Sequence, residues 1–329
     1  MSQLDSPRVI LIIVNWNGRA YLEPCLSAVF RQDFQDFAVI VVDNGSTDGS
    51  CEFIRVTFPQ VRLIENHENL GFAAANNQAI QASQSALIAT LNTDTVVAPG
   101  WLGALVQAME RDPRVGMCAS KMLLASATGT IDAAGIAVDR ASIASNVRHG
   151  EPDSPEANVP SAVFGACAGA ALYRRAMLDE IGLFDPDFFM YMEDVDLAWR
   201  AQWADWRAVY VPEAVVVHVH SGTAVEGSPL KNRLLGRNRE WVLLKNYPFP
   251  PVIWYAPVIL LYDLMAVGYA MLAKRQLASL HGRLQAIGQL RKMLVRRSQR
   301  VMRISWREMM RRLQPIEGPL AVARRYRRP

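Results

Sequence analysis

The sequence predicts an α/β protein: a Rossmann-like, mostly parallel sheet with helices on both faces. Three observations carry that reading. Short apolar runs alternate with helical patterns through the first half of the 329-residue chain, and a repeated strand–helix order closes into a parallel sheet. The runs are continuously apolar, as expected of strands covered on both sides. Polar residues gather at the ends of the runs, Asn15 and Asn17, Asp43, Asn44 and Ser46, Asn69, then Asn92 and Asp94, which is where such sheets bind ligands.

Taken in order, "RVILIIVN" (8–15), "FAVIVVD" (37–43), "VRLIEN" (61–66) and "ALIATLN" (86–92) read as strands. Helices are expected at about 19–31, 48–57, 72–85 and 99–111, with Gly18, Asp48 and Pro99-Gly100 near their starts. Residues 121–160, rich in Ala, Ser, Gly and Pro, read as a loop-and-strand insertion. Strands resume at 162–173 and 207–218 around a helix at 193–204, and a further helix covers 229–246. An apolar stretch, 252–273, and a basic segment complete the chain.

Composition narrows the class. A hydrophobic content of 51% with 20% charged residues describes a globular protein. Four scattered cysteines without CxxC spacing suggest reduced thiols in a cytosolic setting. The apolar run before Asn15 is too short for a signal peptide and reads as a first strand. Charge is divided unevenly. Residues 274–329 hold sixteen Lys/Arg and two Glu, a net of +14, which leaves 19 basic and 29 acidic residues, a net of −10, in the remainder. A basic tail on an acidic body points to an anionic surface as partner. A membrane is preferred to nucleic acid, for which no binding fold accompanies the charge.

Familiar nucleotide motifs are absent. No GxGxxG follows the first strand, no GxxxxGK[ST] occurs, and no GxSxG elbow appears. Other groups carry the chemistry. Asp43, at the end of the second strand, offers a carboxylate to the N–H of a pyrimidine base, while Asp48 reads as a helix cap. In "ENLGFAAANNQAI" (68–80) Gly71 allows close backbone approach at a helix start suited to a diphosphate. Asp94 ends "LIATLNTD", where a divalent cation with oxygen ligands, Mg²⁺ or Mn²⁺, can bridge carboxylate and phosphate. Glu193, Asp194 and Asp196 crowd a helix start; they suit the helix dipole, and their repulsion raises at least one pKa toward that of a general base. The aromatics Phe188, Phe189 and Tyr191 would wall that site. His218 and His220 share one face of a strand end, which suggests a metal or phosphate role for one of them.

"VNWNG", "VVDNGSTDGS", "ENLGFAAANNQAI", "LNTDT" and "FFMYMEDVDLAWR", in this order, resemble the family 2 glycosyltransferases of GT-A fold, in particular the bacterial rhamnosyltransferase-like branch. The resemblance covers roughly residues 8 to 248. It implies inverting transfer of a sugar, rhamnose as first expectation, from a dTDP- or UDP-linked donor to a saccharide or polyprenyl-linked acceptor in bacterial surface polysaccharide synthesis. Carried across, Asn15, Asn17, Asp43 and Ser46 would bind the base, and Gly71 and Asn77 the ribose and diphosphate. Asn92 and Asp94 match a DXD-like motif that here lacks its first carboxylate. Asp94 and His218 would hold the metal, with His220 as the alternative, and Asp194 would be the catalytic base. Ala75 stands where relatives often carry Gly. The implied organisation is a GT-A domain over 1–248, with a nucleotide-sugar half (1–120) and an acceptor half (121–248), followed by a helical membrane-associating extension over 249–329. The acceptor half would draw on Gly169 and Trp199, and Asn232, Arg233, Arg237 and Asn238 would face the site. In 252–273 Pro257 and Asp263 favour an interfacial or buried helix over a membrane span, without excluding a span. The expected location is the cytoplasm, peripheral on the inner face of the plasma membrane. A nucleotidyltransferase, or a non-catalytic scaffold that kept the nucleotide fold, are the competing readings.

Overall fold

The computed structural model describes residues 7–219, 228–316 and 318. Its first half follows the expected alternation: β1 (Val9–Asn15), α1 (Arg19–Val29), β2 (Phe37–Asp43), α2 (Ser50–Thr57), β3 (Arg62–Glu65), α3 (Gly71–Gln81), β4 (Leu87–Asn92), β5 (Thr95–Val97) and α4 (Trp101–Glu110). Along β1 the side chains divide by the two-residue period of a strand. Ile10 and Ile12 join one core layer, and Val9, Leu11 and Ile13 the other. Both faces of β1 are covered, which is why its run is apolar up to Asn15.

Next come β6 (Val115–Leu124), β7 (Ile131–Ala133), β8 (Ile136–Val138), β9 (Ala144–Asn146), β10 (Ser161–Val163), β11 (Ala170–Arg174), α5 (Arg175–Ile181), α6 (Glu193–Trp203) and β12 (Arg207–His218). The main sheet runs β10-β12-β6-β11-β4-β1-β2-β3. β1, β2, β3 and β4 are mutually parallel where they pair, as are β6 and β12, whereas β11 lies antiparallel between β4 and β6. Two expectations are corrected here. The single strand expected at 162–173 is two, β10 and β11, which pair with different neighbours because the chain between them turns past the site. The buried strand β6 begins before the insertion expected at 121–160 and runs into it.

Register places the polar residues. Asn15 pairs with Asp43 across β1 and β2, and Val14 pairs with Asn92 across β1 and β4. All three therefore reach the same end of the sheet. β12 shifts register between Val211 and Val215 and continues onto β5, where His218 lies opposite Thr95 and the Val219 N–H donates to the Asp94 carbonyl. That bulged extension brings His218 beside Asp94.

The chain continues as α7 (Pro229–Asn246), α8 (Pro251–Leu272), α9 (Ala278–Gly288), α10 (Leu290–Ser298) and α11 (Trp306–Arg312). This segment is docked on the body, since Ala286, Met293, Ile304, Met309 and Leu313 join one of the two core layers. α9 meets α7 at paired glycines. A Cβ on Gly282 would overlap the Arg233 carbonyl, and one on Gly236 would lie 2.5 Å from the Ser279 carbonyl.

Candidate active site

At the carboxyl end of the sheet lies a cleft of about 360 Å³. Asp94 and His218 line it from β4–β5 and β12, Glu193 and Asp194 from the start of α6, and Lys231 and Leu235 from α7. Trp16, Tyr21, Asn44, Asn69, Asn92, Gly169 and Tyr191 also contribute. The expected metal residues and the expected base therefore share one cavity.

The Asp94–His218 pair is built from behind. His218 Nε2 lies 3.4 Å from Asp94 Oδ1, and its Nδ1 lies 2.7 Å from Asp132 Oδ2. The 3% exposed Asp132 also meets His149 Nδ1 at 3.4 Å. Burial lowers the His218 pKa, but hydrogen bonds to Asp132 and Asp94 outweigh it and carry the ring to about 9. A carboxylate behind a histidine is the usual support of a metal ligand, because it fixes the tautomer that faces the metal. Among the described residues no three His, Cys, Asp or Glu side chains gather as a metal cage. The donor set of one carboxylate and one imidazole fits a divalent cation whose remaining ligands are phosphate oxygens and water. His220 lies outside the described residues.

Asp194 sits at the first turn of α6, reached through backbone under strain. Phe189, Tyr191 and Met192 hold φ of 66°, 69° and 66°, a left-handed region costly for non-glycine residues. Asn238 on α7, fully buried, offsets that cost by donating to the carbonyls of Phe188 (3.1 Å), Met190 (2.9 Å) and Tyr191 (2.7 Å). Arg237 donates to the Phe188 carbonyl at 2.8 Å. These two residues of α7 therefore grip the loop, and Lys231 and Leu235 are the ones that line the cleft.

The three carboxylates of α6 have different environments. Asp196 is fully buried, yet Lys245 at 2.9 Å and Arg200 at 2.9 Å hold its pKa down to about 2 despite desolvation. It is a fixed anion of the frame. Glu193 is raised well above the usual carboxylate range by burial and then by the charge of Asp194, and its Oε2 has no hydrogen-bond partner among the described residues. Asp194 is raised by burial, with amide donors Ala168 N (3.2 Å) and Val195 N (2.8 Å) acting against the rise. The shared proton belongs on Glu193, which is raised further and has only its own amide beside it, whereas the amides of Ala168 and Val195 as well steady the Asp194 anion. Asp194 is left as a carboxylate of elevated basicity facing the cleft.

Asn15, Asn17, Asp43 and Ser46 form one cluster at the ends of β1 and β2. Asn15 Nδ2 donates to Asp43 Oδ2 at 2.7 Å and Ser46 Oγ at 3.1 Å, the Ser46 amide donates to Asp43 Oδ1 at 2.8 Å, and the Asn17 amide donates to Ser46 Oγ at 2.8 Å. Both oxygens of the 1% exposed Asp43 are thus taken by protein donors. The buried Asn15 Oδ1 lacks a partner among the described residues. Gly71, with φ 84°, lies so close to the Phe189 carbonyl that a Cβ would overlap it, which joins the α3 start to the loop before α6. Asn77 is placed away from the cleft lining, its amide donating to the Phe184 carbonyl at 2.7 Å. Trp199 and Ala75 are fully buried in the core and also lie outside the lining.

Sequence reasoning did not single out Asp132, Trp16 or Lys231. Trp16 had a signal, as the large residue between Asn15 and Asn17 in a strand-end loop. Asp132 had none, because its place behind His218 arises from the β6–β7 pairing.

Comparison with known proteins agrees with the fold and gives the family. The profile of glycosyl transferase family 2 matches residues 10–182. An N-acetylglucosaminyl-diphospho-decaprenol L-rhamnosyltransferase of Mycobacterium tuberculosis is 31% identical over 236 residues, covering 63% of this chain and 75% of the relative. Among solved structures, GalNAc-T7 with UDP, GalNAc and Mn²⁺ superposes with a TM-score of 0.62 at 15% identity, over 87% of this chain and 56% of the other. The Pyrobaculum calidifontis mannosyltransferase PcManGT in complex with GDP-Man and Mn²⁺ does so with a TM-score of 0.53 at 19% identity, over 90% and 85%. Fold and site together define a glycosyltransferase of the GT-A class. The chain belongs to glycosyl transferase family 2.

Proposed function

We propose that this enzyme moves a sugar, with rhamnose the leading choice, from a dTDP- or UDP-linked donor to a hydroxyl of a saccharide carried on a polyprenyl lipid, with inversion at the anomeric carbon, in surface polysaccharide synthesis. The reading of sugar and acceptor rests on the name of the mycobacterial relative. The observation that carries the chemistry is the shared cleft, with Asp94 and His218 on one wall and Asp194 on another.

Asp94 and His218 would hold Mg²⁺ or Mn²⁺ together with diphosphate oxygens, and such a cation neutralises the charge that develops on a departing nucleoside diphosphate. The chain's own residues do the rest. The Asn15–Asp43–Ser46 cluster, with Asn17, frames the base end of the donor site. Gly71, Asn92 and the amides at the start of α3 border the diphosphate. Asn77 supports α3 from the Phe184 side. Asp194 takes the proton of the acceptor hydroxyl as that oxygen attacks the anomeric carbon and the diphosphate leaves from the opposite face. One displacement inverts the centre, so no enzyme nucleophile is required. Glu193, kept protonated, adds no second negative charge beside the incoming oxygen.

The proposed organisation keeps residues 1–248 as the transferase unit, with donor and acceptor halves meeting near residue 120, and 249–329 as the membrane-associating extension. The proposed location is the cytoplasmic face of the plasma membrane. Incubation of the protein with a panel of sugar nucleotides, Mn²⁺ and a lipid-linked saccharide, reading released nucleoside diphosphate, tests the reaction. Selective release from dTDP-rhamnose supports it. Release of pyrophosphate from a nucleoside triphosphate would point instead to a nucleotidyltransferase, and no turnover of any donor would favour the scaffold reading.

A further inference from the structure

α8 is 22 residues long and apolar enough, by length and composition, to cross a membrane. It is apolar on all sides, yet the body covers one side alone. Ile259, Tyr262 and Ala270 are buried, while Trp254, Leu260, Leu261, Leu264, Tyr269 and Leu272 are 50–85% exposed. A helix of this kind needs an apolar surround on its outer face. The inner face says which surround is possible. Asp263, midway along, accepts from Arg239 Nε of α7 at 2.7 Å and from Arg283 Nη2 of α9 at 2.9 Å. Glu240 lies 3.4 Å from Arg283 in the same cluster. Val252, Tyr255, Val258, Ile259 and Tyr262 pack on the body along the first half of the helix. A spanning α8 would carry this cluster of four charged groups, and the polar body attached to it, to the middle of the bilayer, where charged groups are costly.

We infer that α8 lies in the plane of an anionic leaflet, its outer face among the acyl chains and its inner face on the transferase domain, and that its carboxyl end sits at the mouth of the catalytic cleft. Charge complementarity selects the occupant: exposed Lys274 and Arg275 follow α8 directly, and exposed Arg291 lies in α10. Placement of the mouth follows from α7. Asn232 Nδ2 donates to Gln276 Oε1, in the turn between α8 and α9, at 2.6 Å, and the neighbouring Lys231 lines the cleft. A polyprenyl-linked acceptor whose tail lies in that leaflet would thus present its first sugar at the cleft without leaving the membrane. This last step rests on the function proposed above, whereas the docking does not.

The test is flotation of the full chain with vesicles of phosphatidylcholine alone or with one quarter phosphatidylglycerol, for the wild type and for Leu260→Glu/Leu264→Glu, beside thermal melting and transfer to a soluble, short-chain lipid-free acceptor. Expected results are flotation with the anionic vesicles, at least a tenfold loss of binding in the double variant, an unchanged melting temperature and unchanged turnover of the soluble acceptor. A second variant, Lys274→Glu/Arg275→Glu, should weaken binding to anionic vesicles while leaving the apolar face intact. Alkaline carbonate should strip the wild type from vesicles. Retention after carbonate, with 278–312 protected from external protease, would show a span and overturn the proposal. Undiminished flotation of the Leu260→Glu/Leu264→Glu variant would overturn it too. A dimer without vesicle binding, dispersed by the same two substitutions, would assign the face to a second copy of the chain. Wild-type protein that floats but turns over no sugar nucleotide would defeat the proposed function and leave the docking standing.

Discussion

His218 meets the cleft with Nε2 because Asp132 occupies Nδ1 from behind. The ring is therefore oriented by a residue outside the cleft lining. Asp132→Asn should keep the fold but lower Mn²⁺ affinity by about 10–100-fold, the range typical when a ligand's supporting carboxylate is lost; titration of Mn²⁺ against activity and against metal binding checks it. Asp194 supplies a second residue-scale expectation. Its pKa is raised by burial, and a general base works only when deprotonated. Activity should thus hold on the alkaline side and fall as pH drops through the raised value, so the acidic limb of kcat/KM should lie above the ordinary Asp value. A limb at the unshifted Asp value of 3.8 would place the base in a more solvated setting than the cleft. The placement of Asp94, Asp194 and His218 at one end of the sheet could be read from sequence because each ends or follows a recognisable element. The place of Asp132 behind His218, and the donors that Asp43 meets inside its polar cluster, depend on partners far away in the chain and left no local pattern.

Elements tell a similar story about how support is distributed. α7 was legible as a helix, but the purpose of its polar residues was not. Asn238 and Arg237 hold the strained 188–191 backbone, and Lys245 bridges Asp185 at 2.6 Å and Asp196 at 2.9 Å. Lys245→Met would leave two buried carboxylates facing one another, and a loss of about 3–5 kcal/mol is expected from chemical unfolding. The low pKa of Asp196 gives this network a pH dependence. Its contribution is complete above the unfolded value of 3.8 and disappears as pH falls through about 2. At the α7–α9 crossing, Gly282→Val would drive a side chain into the Arg233 carbonyl. α9 should lift from α7, seen as faster proteolysis between 274 and 312 while the sheet stays folded. β6 escaped sequence reading because Gly116, Ser120 and Lys121 interrupt its apolar run. Lys121 is nevertheless buried, its ammonium donating to Asp153 at 3.0 Å and Asn158 at 2.6 Å, so a charge that reads as surface belongs to the interior.

Across the whole molecule, the uneven charge of the sequence is partly resolved inside the chain. Lys292 pairs with Asp187, Arg303 with Glu180 and Arg312 with Asp205. The basic segment is thus a clasp on the acidic body. The parallel half of the sheet was legible because its strands follow one another with helices between. The antiparallel insertion of β11, which sets Gly169 beside Asn92 and closes the cleft, was not, since pairing over such distances leaves no periodic trace. The central claim is that the Asp94–His218 wall and the Asp194 wall act on one donor–acceptor pair. Nucleoside diphosphate binding by calorimetry in the presence of Mn²⁺, with sugar transfer measured on the same preparations, tests it most directly. Asp194→Asn should bind the nucleotide as the wild type does and lose transfer by about 10²–10⁴-fold, whereas Asp94→Asn should lose Mn²⁺-dependent binding. Transfer by Asp194→Asn within a few-fold of wild type would contradict the account.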